Sequence, residues 1–400
     1  MTTTPVFPGT TFSYYSDAAV PRPRSGDTIF AVVPLASTAT ASAGDTLDTA
    51  SGLADGADLL AKVGTTPSSL SLADLLDSVD DRVIVRVLDT TPTNAEAVAA
   101  LGVLGADGSL PTPTVIMAPG LTAGGSTGGD RADDGKDGGE SSVFGAMKAL
   151  AQATGAVAMG DAALEATAAD AGQRANHAAA ITAAKAWWAN NHGRQAMCCA
   201  GPGWDGTNII PPSGTVAGAL LSRSAQRGRA YGVHYAPVSH GAERYYGFSV
   251  GRGPTDSSDA RSLLEGYITV ALQSPGRGRY TLGHRLGASG DYGSTGDSPF
   301  LSIWSVQRVV QHAEEIATEA GRDLLGSDSG PVGSRGLAAV IQEALQPLVT
   351  GAQPELRHAL VEVEAGEPTQ HLEGGANLFL ALGIINPLVT IRTAVRLESI

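Results

Sequence analysis

Residues 211–232 read "PPSGTVAGALLSRSAQRGRAYG". Two prolines and a Ser-Gly pair predict a break in regular structure, and a run of small apolar residues follows. Arg223, Arg227 and Arg229 then fall within seven positions around a glycine. The stretch could be a binding site, a catalytic turn, or a joint in something built from many copies.

Composition narrows the choice. With 400 residues the chain exceeds one ordinary domain, so two domains, or one core with a large insertion, are expected. Aromatics make up 5% of the chain against 51 glycines, so its elements must pack through small side chains and close backbone approach. The formal charge of −14, with the positive charge almost all arginine, argues against a nucleic-acid binder. The adjacent Cys198 and Cys199 lack the spacing of a redox or zinc motif, and small buried core residues in a reducing compartment are expected. The N-terminal stretch has no basic region leading into an apolar run, and no stretch reaches the roughly 18 apolar residues of a membrane span. A soluble product made in the cytoplasm is expected.

Along the chain, residues 1–25 read as an extended arm without a core of its own, "TTFSYY" having strand propensity and "PRPR" favouring an extended path. "TIFAVVPLA" (28–36) reads as a buried strand, and "STATASAGDTLDTA" after it as a loop. "GADLLAKVG" and "LADLLDSVD" predict short helices before the β-branched strand "RVIVRVL" (82–88). "TPTVIMAPG" (112–120) is a further buried strand and leads into a glycine and aspartate loop over 121–142. Helices are predicted over 143–154, 175–190 and 258–273, a strand over 279–286, and further helices over 301–324 and 335–346. Three closing strands follow, around "HALVEVEAG", "NLFLALGII" and "LVTIRTAVRL". Strand alternating with helix implies an α/β layer with a mainly parallel sheet.

Catalytic and ligand motifs are weak. "GGSTG" (124–128) matches a nucleophile elbow after a strand, but a long Gly/Asp loop stands where the supporting helix is needed. A serine hydrolase using Ser126 is kept as the remote competing class. "DRADDGKDGGE" (130–140) places Asp130, Asp134 and Gly135 as in a calcium loop, yet Ala132 and Ser141 occupy positions that require oxygen ligands. The histidines are scattered, and the glycine segments lack the Gly-Lys-Ser/Thr of a phosphate cradle. No catalytic, cofactor or metal residues are therefore assigned. Arg223, Arg227, Arg229 and Arg285 could grip an anion, but arginines beside glycine turns more often lock loops to neighbouring carboxylates or carbonyls.

Several segments in order resemble one family, the sheath proteins of contractile phage tails and R-type pyocins, in their short form. "PPSGTVAGALLSRSAQRGRAYGVHYAPVS" (211–239) is similar to the family's Pro-x-Ser-Gly turn, Ala-Gly helix start and Arg/Gly stretch, with Ser224 near the family's usual aspartate. "RYTLGHRL" (279–286) resembles its Gly-Asn-Arg-Thr strand, His284 and Leu286 standing at the Asn and Thr positions. "PGTTFSYYSD", "TIFAVVPLAS", "TVIMAPG", "SIWSVQRVVQHAEEIATEA" and "NPLVTIRTAV" extend the likeness over almost the whole chain.

The resemblance implies a two-domain α/β subunit with an α+β inner domain and no enzymatic activity. An N-terminal arm (1–25) would join the inner domain (276–387), the outer α/β domain would span 26–275, and 388–400 would form a C-terminal arm. Thr11, Phe12, Tyr14, Tyr15, Val389, Ile391, Val395 and Leu397 would carry strand exchange between subunits. Ser213, Gly214, Arg223, Arg227, Arg229 and Arg285 would form a structural joint. Arg335 and Glu343 are candidate contacts to an inner tube. Implied partners are further copies in a helical sheath, the tube protein, and baseplate and terminator proteins, with no cofactor, no nucleic acid and no membrane insertion. The sheath of a non-phage cellular injection system is the alternative within the class.

Overall fold

In a computed structural model, residues 24–122, 142–162, 177–200, 203–204, 209–229, 258–274, 278–283, 285–287, 291, 299–322, 331–351, 354–363 and 378–384 are described. Both expected arms, apart from Arg24 and Ser25, lie outside these residues, as does 123–141 of the expected loop.

Strand β1 (Thr28–Pro34) is apolar on both faces and sits inside an eight-stranded sheet. It pairs in parallel with β3 (Arg82–Leu88) on one side and β4 (Val115–Met117) on the other. Parallel neighbours β5 (Val157–Asp161), β6 (Ala196–Ala200) and β9 (Thr269–Ser274) continue the sheet outward. The edges are antiparallel: β2 (Thr46–Asp48) on β3, and β10 (Gly278–Leu282) on β9. The order is β10-β9-β6-β5-β4-β1-β3-β2, so the chain first builds to one side of β1 and then reverses to the other. The expected α/β layer with a mostly parallel sheet is what the chain forms. The boundary expected between residues 275 and 276 falls inside the β9–β10 pair.

Strand alternation distributes the core. Ile29, Ala31 and Val33 meet α1 (Gly56–Val63), α2 (Pro67–Ser78) and α6 (Pro212–Arg227). Phe30 and Val32 lie in the core on the other face, with α3 (Asn94–Ala106), α4 (Val143–Thr154), α5 (His177–Asn191) and α7 (Ser258–Glu265). Helices on both faces explain why the parallel strands read as continuous apolar runs. A third core joins α8 (Trp304–Arg322) and α9 (Pro331–Thr350) to the antiparallel pair β11 (Leu356–Val363) and β12 (Leu378–Ile384). Trp304 opens α8 within the sheet core, while Val309, Ala313 and Ala317 belong to the third core, so one helix spans both. A short pair, β7 (Gly203–Trp204) with β8 (Ile209–Ile210), precedes α6.

The structure corrects several expectations. The prolines at 211 and 212 do not interrupt α6 but start it, because a proline in the first turn sacrifices no intrahelical donor. The helix expected over 258–273 ends at Glu265; Tyr267, with φ of +62°, turns the chain, and β9 follows. The strand expected over 279–286 stops at Leu282, and Arg285 rejoins only as a single bridge to Ile303. The loop expected after residue 36 contains β2, and α9 is longer than the predicted 335–346. Strands β5 and β6 and helix α3 had no predicted counterpart.

Candidate functional site

Helix α6 lies with its backbone against α2. A methyl group added at Gly214 would sit 2.0 Å from the Ser71 carbonyl oxygen, and one at Gly218 would sit 2.8 Å from the Ser78 side chain. The contact is polar as well as close: the Gly214 N–H donates to Ser71 Oγ (3.0 Å) and the Thr215 hydroxyl to Asp74 (2.9 Å).

The start of α6 has no cap of its own, since Pro211 offers no side-chain acceptor. Asp161, at the carboxyl end of β5, supplies it: its carboxylate accepts from the Ser213 N–H (2.7 Å) and hydroxyl (2.9 Å), and from the Gly120 N–H (2.9 Å) after β4. The Thr122 hydroxyl accepts the Asp161 N–H at 2.8 Å. Thr122, Asp161 and Ser213 are all fully buried. Open α/β sheets commonly take ligands at the carboxyl ends of the strands beside the reversal of strand order, with anions on a helix N-terminus. In this chain its own carboxylate occupies that kind of position. The neighbouring Cys198 and Cys199 are free and buried, their thiols pushed well above the usual value by burial and by the nearby Asp161 charge.

The most connected polar site lies where the sheet meets the third core. Asp81, between α2 and β3, accepts one oxygen's worth of backbone donors from Ser25 (2.8 Å), Gly26 (2.9 Å) and Asp27 (3.4 Å), and the Ser25 hydroxyl at the other oxygen (2.6 Å). Burial raises the Asp81 carboxyl, and these hydrogen bonds oppose the rise. Asp27 forms an ion pair with Arg308 of α8, whose buried guanidinium also donates to Gln311 (2.7 Å). Burial lowers Arg308 to about 10. Arg229, just past α6, donates to the Ser25 carbonyl (2.7 Å) and reaches Glu355 (3.5 Å) and His312 (3.2 Å). His312 also contacts Glu355 at 2.9 Å. Burial alone would raise the Glu355 carboxyl, but the His312 hydrogen bond and the His312 and Arg229 charges bring it below the usual value.

The sequence-named residues are thus dispersed. Ser213 and Gly214 sit at the α6 start, and Arg229 at the ionic site. Arg285 donates to Ser302 (2.8 Å) and lies over the Tyr267 ring, while Arg223 is half-buried and Arg227 exposed. Glu343 is exposed on α9, and Arg335 lies on the same helix with its side chain outside the described residues. Ser126 and all eight arm residues named above also lie outside them. Asp81, Asp161, Arg308, His312 and Glu355 carry no local motif and were not anticipated. Among the described residues, no group of three or more His, Cys, Asp or Glu side chains could hold a metal ion, and no helix is long and apolar enough to cross a membrane.

No family model and no curated protein matches the chain. Solved structures do. A chain of the anti-feeding prophage baseplate matches with a TM-score of 0.65 at 15% identity, over 99% of this chain and 100% of that one. The sheath complex of an extracellular contractile injection system, in its contracted state, matches at 0.59 and 14% identity, over 98% of both chains. A sheath tail protein from Desulfitobacterium hafniense matches at 0.54 and 8% identity, over 94% of this chain and 100% of that one. The described residues share the fold of these solved proteins.

Proposed function

We propose that this chain is the structural subunit of a contractile sheath: it polymerises helically around an inner tube and drives that tube forward by passing from an extended, metastable lattice to a shorter one. The observation that carries this reading is the likeness over nearly the full length of both chains, which includes the antiparallel unit at the C-terminal end as well as the α/β layer. The geometry of Ser213, Arg229 and Arg285 supports it, because their polar groups are spent on fixing elements to one another. Energy would be held as the difference between two packings of rigid subunits.

In this proposal the α/β layer is the outer domain, α8, α9 and the β11–β12 pair form the inner one, and residues 1–25 and 388–400 are arms that add strands to neighbouring copies. The β11–β12 pair has two strands among the described residues, and such a pair gains stability from added strands. A heterologous contact repeated along a screw axis builds an open tube. Assembly would take place in the cytoplasm of the producing cell, with tube, baseplate and terminator proteins as partners. Arg335 and Glu343 on α9 are proposed to face the tube; reversing both charges without effect on tube binding would remove that assignment. The matches to the anti-feeding prophage and to an extracellular contractile injection system keep the sheath of a non-phage injection particle as the alternative to a phage tail.

Negative-stain microscopy of the purified protein, alone and co-expressed with its tube protein, tests the reading. Hollow cylinders of uniform width are expected. Particles that stay monomeric in both preparations would refute it.

A further inference from the structure

The chain reaches β1 through three residues held from three separate elements. Asp81 wraps one carboxylate oxygen in the consecutive N–H groups of Ser25, Gly26 and Asp27. Arg229 grips the Ser25 carbonyl from the end of α6, and Arg308 pairs with Asp27 from α8. The Arg82 N–H adds a bond to the Asp27 carbonyl at 3.2 Å, and β1 begins one residue later. Gly26 has φ of +81°, a conformation that strains any residue with a β-carbon, and a methyl group there would lie 3.4 Å from the Arg229 guanidinium. Asp27 and Asp81 are 2% and 4% exposed, whereas Arg24, one residue before the cluster, is exposed. Gly26 is exposed as well, so the chain is held by hydrogen bonds from Ser25 onward and becomes buried only at Asp27.

We propose that Asp81, Arg229 and Arg308 form an anchor that fixes the chain at Ser25–Asp27, so that tension on the segment preceding Arg24 passes at once into β1, α6 and α8 instead of peeling residues away one by one. The charged groups suit this role, since peeling Ser25 away would break its bonds to Asp81 and its carbonyl bond to Arg229 together, and would leave both side chains short of partners in a buried place. Arg229 continues the connection to Glu355 and His312, so force entering at Ser25 reaches the β11–β12 unit as well as the sheet. The mechanical use of the anchor rests on the sheath reading; the anchor itself does not.

Trypsin reads it on the unassembled full-length protein. The Arg24–Ser25 bond is cleavable, while Arg22 is protected by the proline after it, and cleavage at Arg24 requires Ser25 to Asp27 to leave the cluster. Arg229→Met, Gly26→Ala and Asp81→Ala are each expected to speed cleavage at this bond by about tenfold or more, measured by mass spectrometry. Asp48→Asn, which removes the ion pair to Arg82 at the sheet edge, should leave the rate at the wild-type value. If Asp81→Ala does not fold, Ser25→Ala probes the same contact from the other side. Unchanged rates in the anchor variants, or equal acceleration by Asp48→Asn, would overturn the proposal. Microscopy on the same variants separates the two readings: release of the segment in a protein that never forms cylinders upholds the anchor and removes the sheath, and cylinders from a protein whose segment is never held remove the anchor alone.

Discussion

At Gly214 a side chain of any kind meets the Ser71 carbonyl at 2.0 Å, a backbone atom that cannot rotate away. Gly214→Val should therefore force α6 off α2 and destabilise the fold by about 3 kcal/mol or more, or prevent folding, as a thermal melt would record. Gly218→Ala, which meets the Ser78 side chain, should cost less, about 1–2 kcal/mol. Glu355 gives a pH-dependent counterpart. Its carboxyl is held below the ordinary 4.5, so its stabilising effect is complete above that pH and is lost as the pH falls through the lowered folded value. Glu355→Gln should lower the urea midpoint at pH 7, and the gap to wild type should close as the pH drops below 4.5; a gap that is constant with pH would contradict the pairing. Local composition singled out Arg229, but its partners Ser25 and Glu355 lie 204 and 126 residues away, and Ser213 meets Asp161 across 52. Such pairings are made by topology and leave no spacing for a reader to find.

Among the elements, β1 and β3 were legible as continuous apolar, β-branched runs, and α8 by the amphipathic period of its apolar stripe. α3 was not, since "NAEAVAALGVLGA" is apolar or small all around and has no stripe to detect. β6, "AMCCA", is too short and too small in its side chains to stand out from a loop. α6 misled because proline and glycine usually mark breaks, whereas here proline occupies the first turn and the glycines make room for α2. α8 carries an element-level prediction. Trp304 is fully buried in the sheet core at one end of a helix whose middle belongs to the third core, so Trp304→Ala should cost about 3–5 kcal/mol and loosen the two cores from each other. Hydrogen exchange should then rise in α9 and β11 before it rises in β1.

For the whole molecule, the α/β class and the sheath resemblance were readable from the order of segments, while the proposed division into outer and inner parts would be set by contacts between copies and leaves no signal in the sequence. Deleting residues 1–23 should leave the melting temperature of the unassembled subunit almost unchanged, because the anchor and β1 begin after them, yet abolish cylinders in the microscope. The proposed sheath requires the two ends of this chain to pair into the sheets of other copies. A helical reconstruction of the assembled cylinders at a resolution that traces the backbone tests it most directly. It should show strands from within residues 1–25 and 388–400 of one subunit paired beside β11 and β12 of its neighbours; ends that fold back and pair only within their own subunit would contradict it.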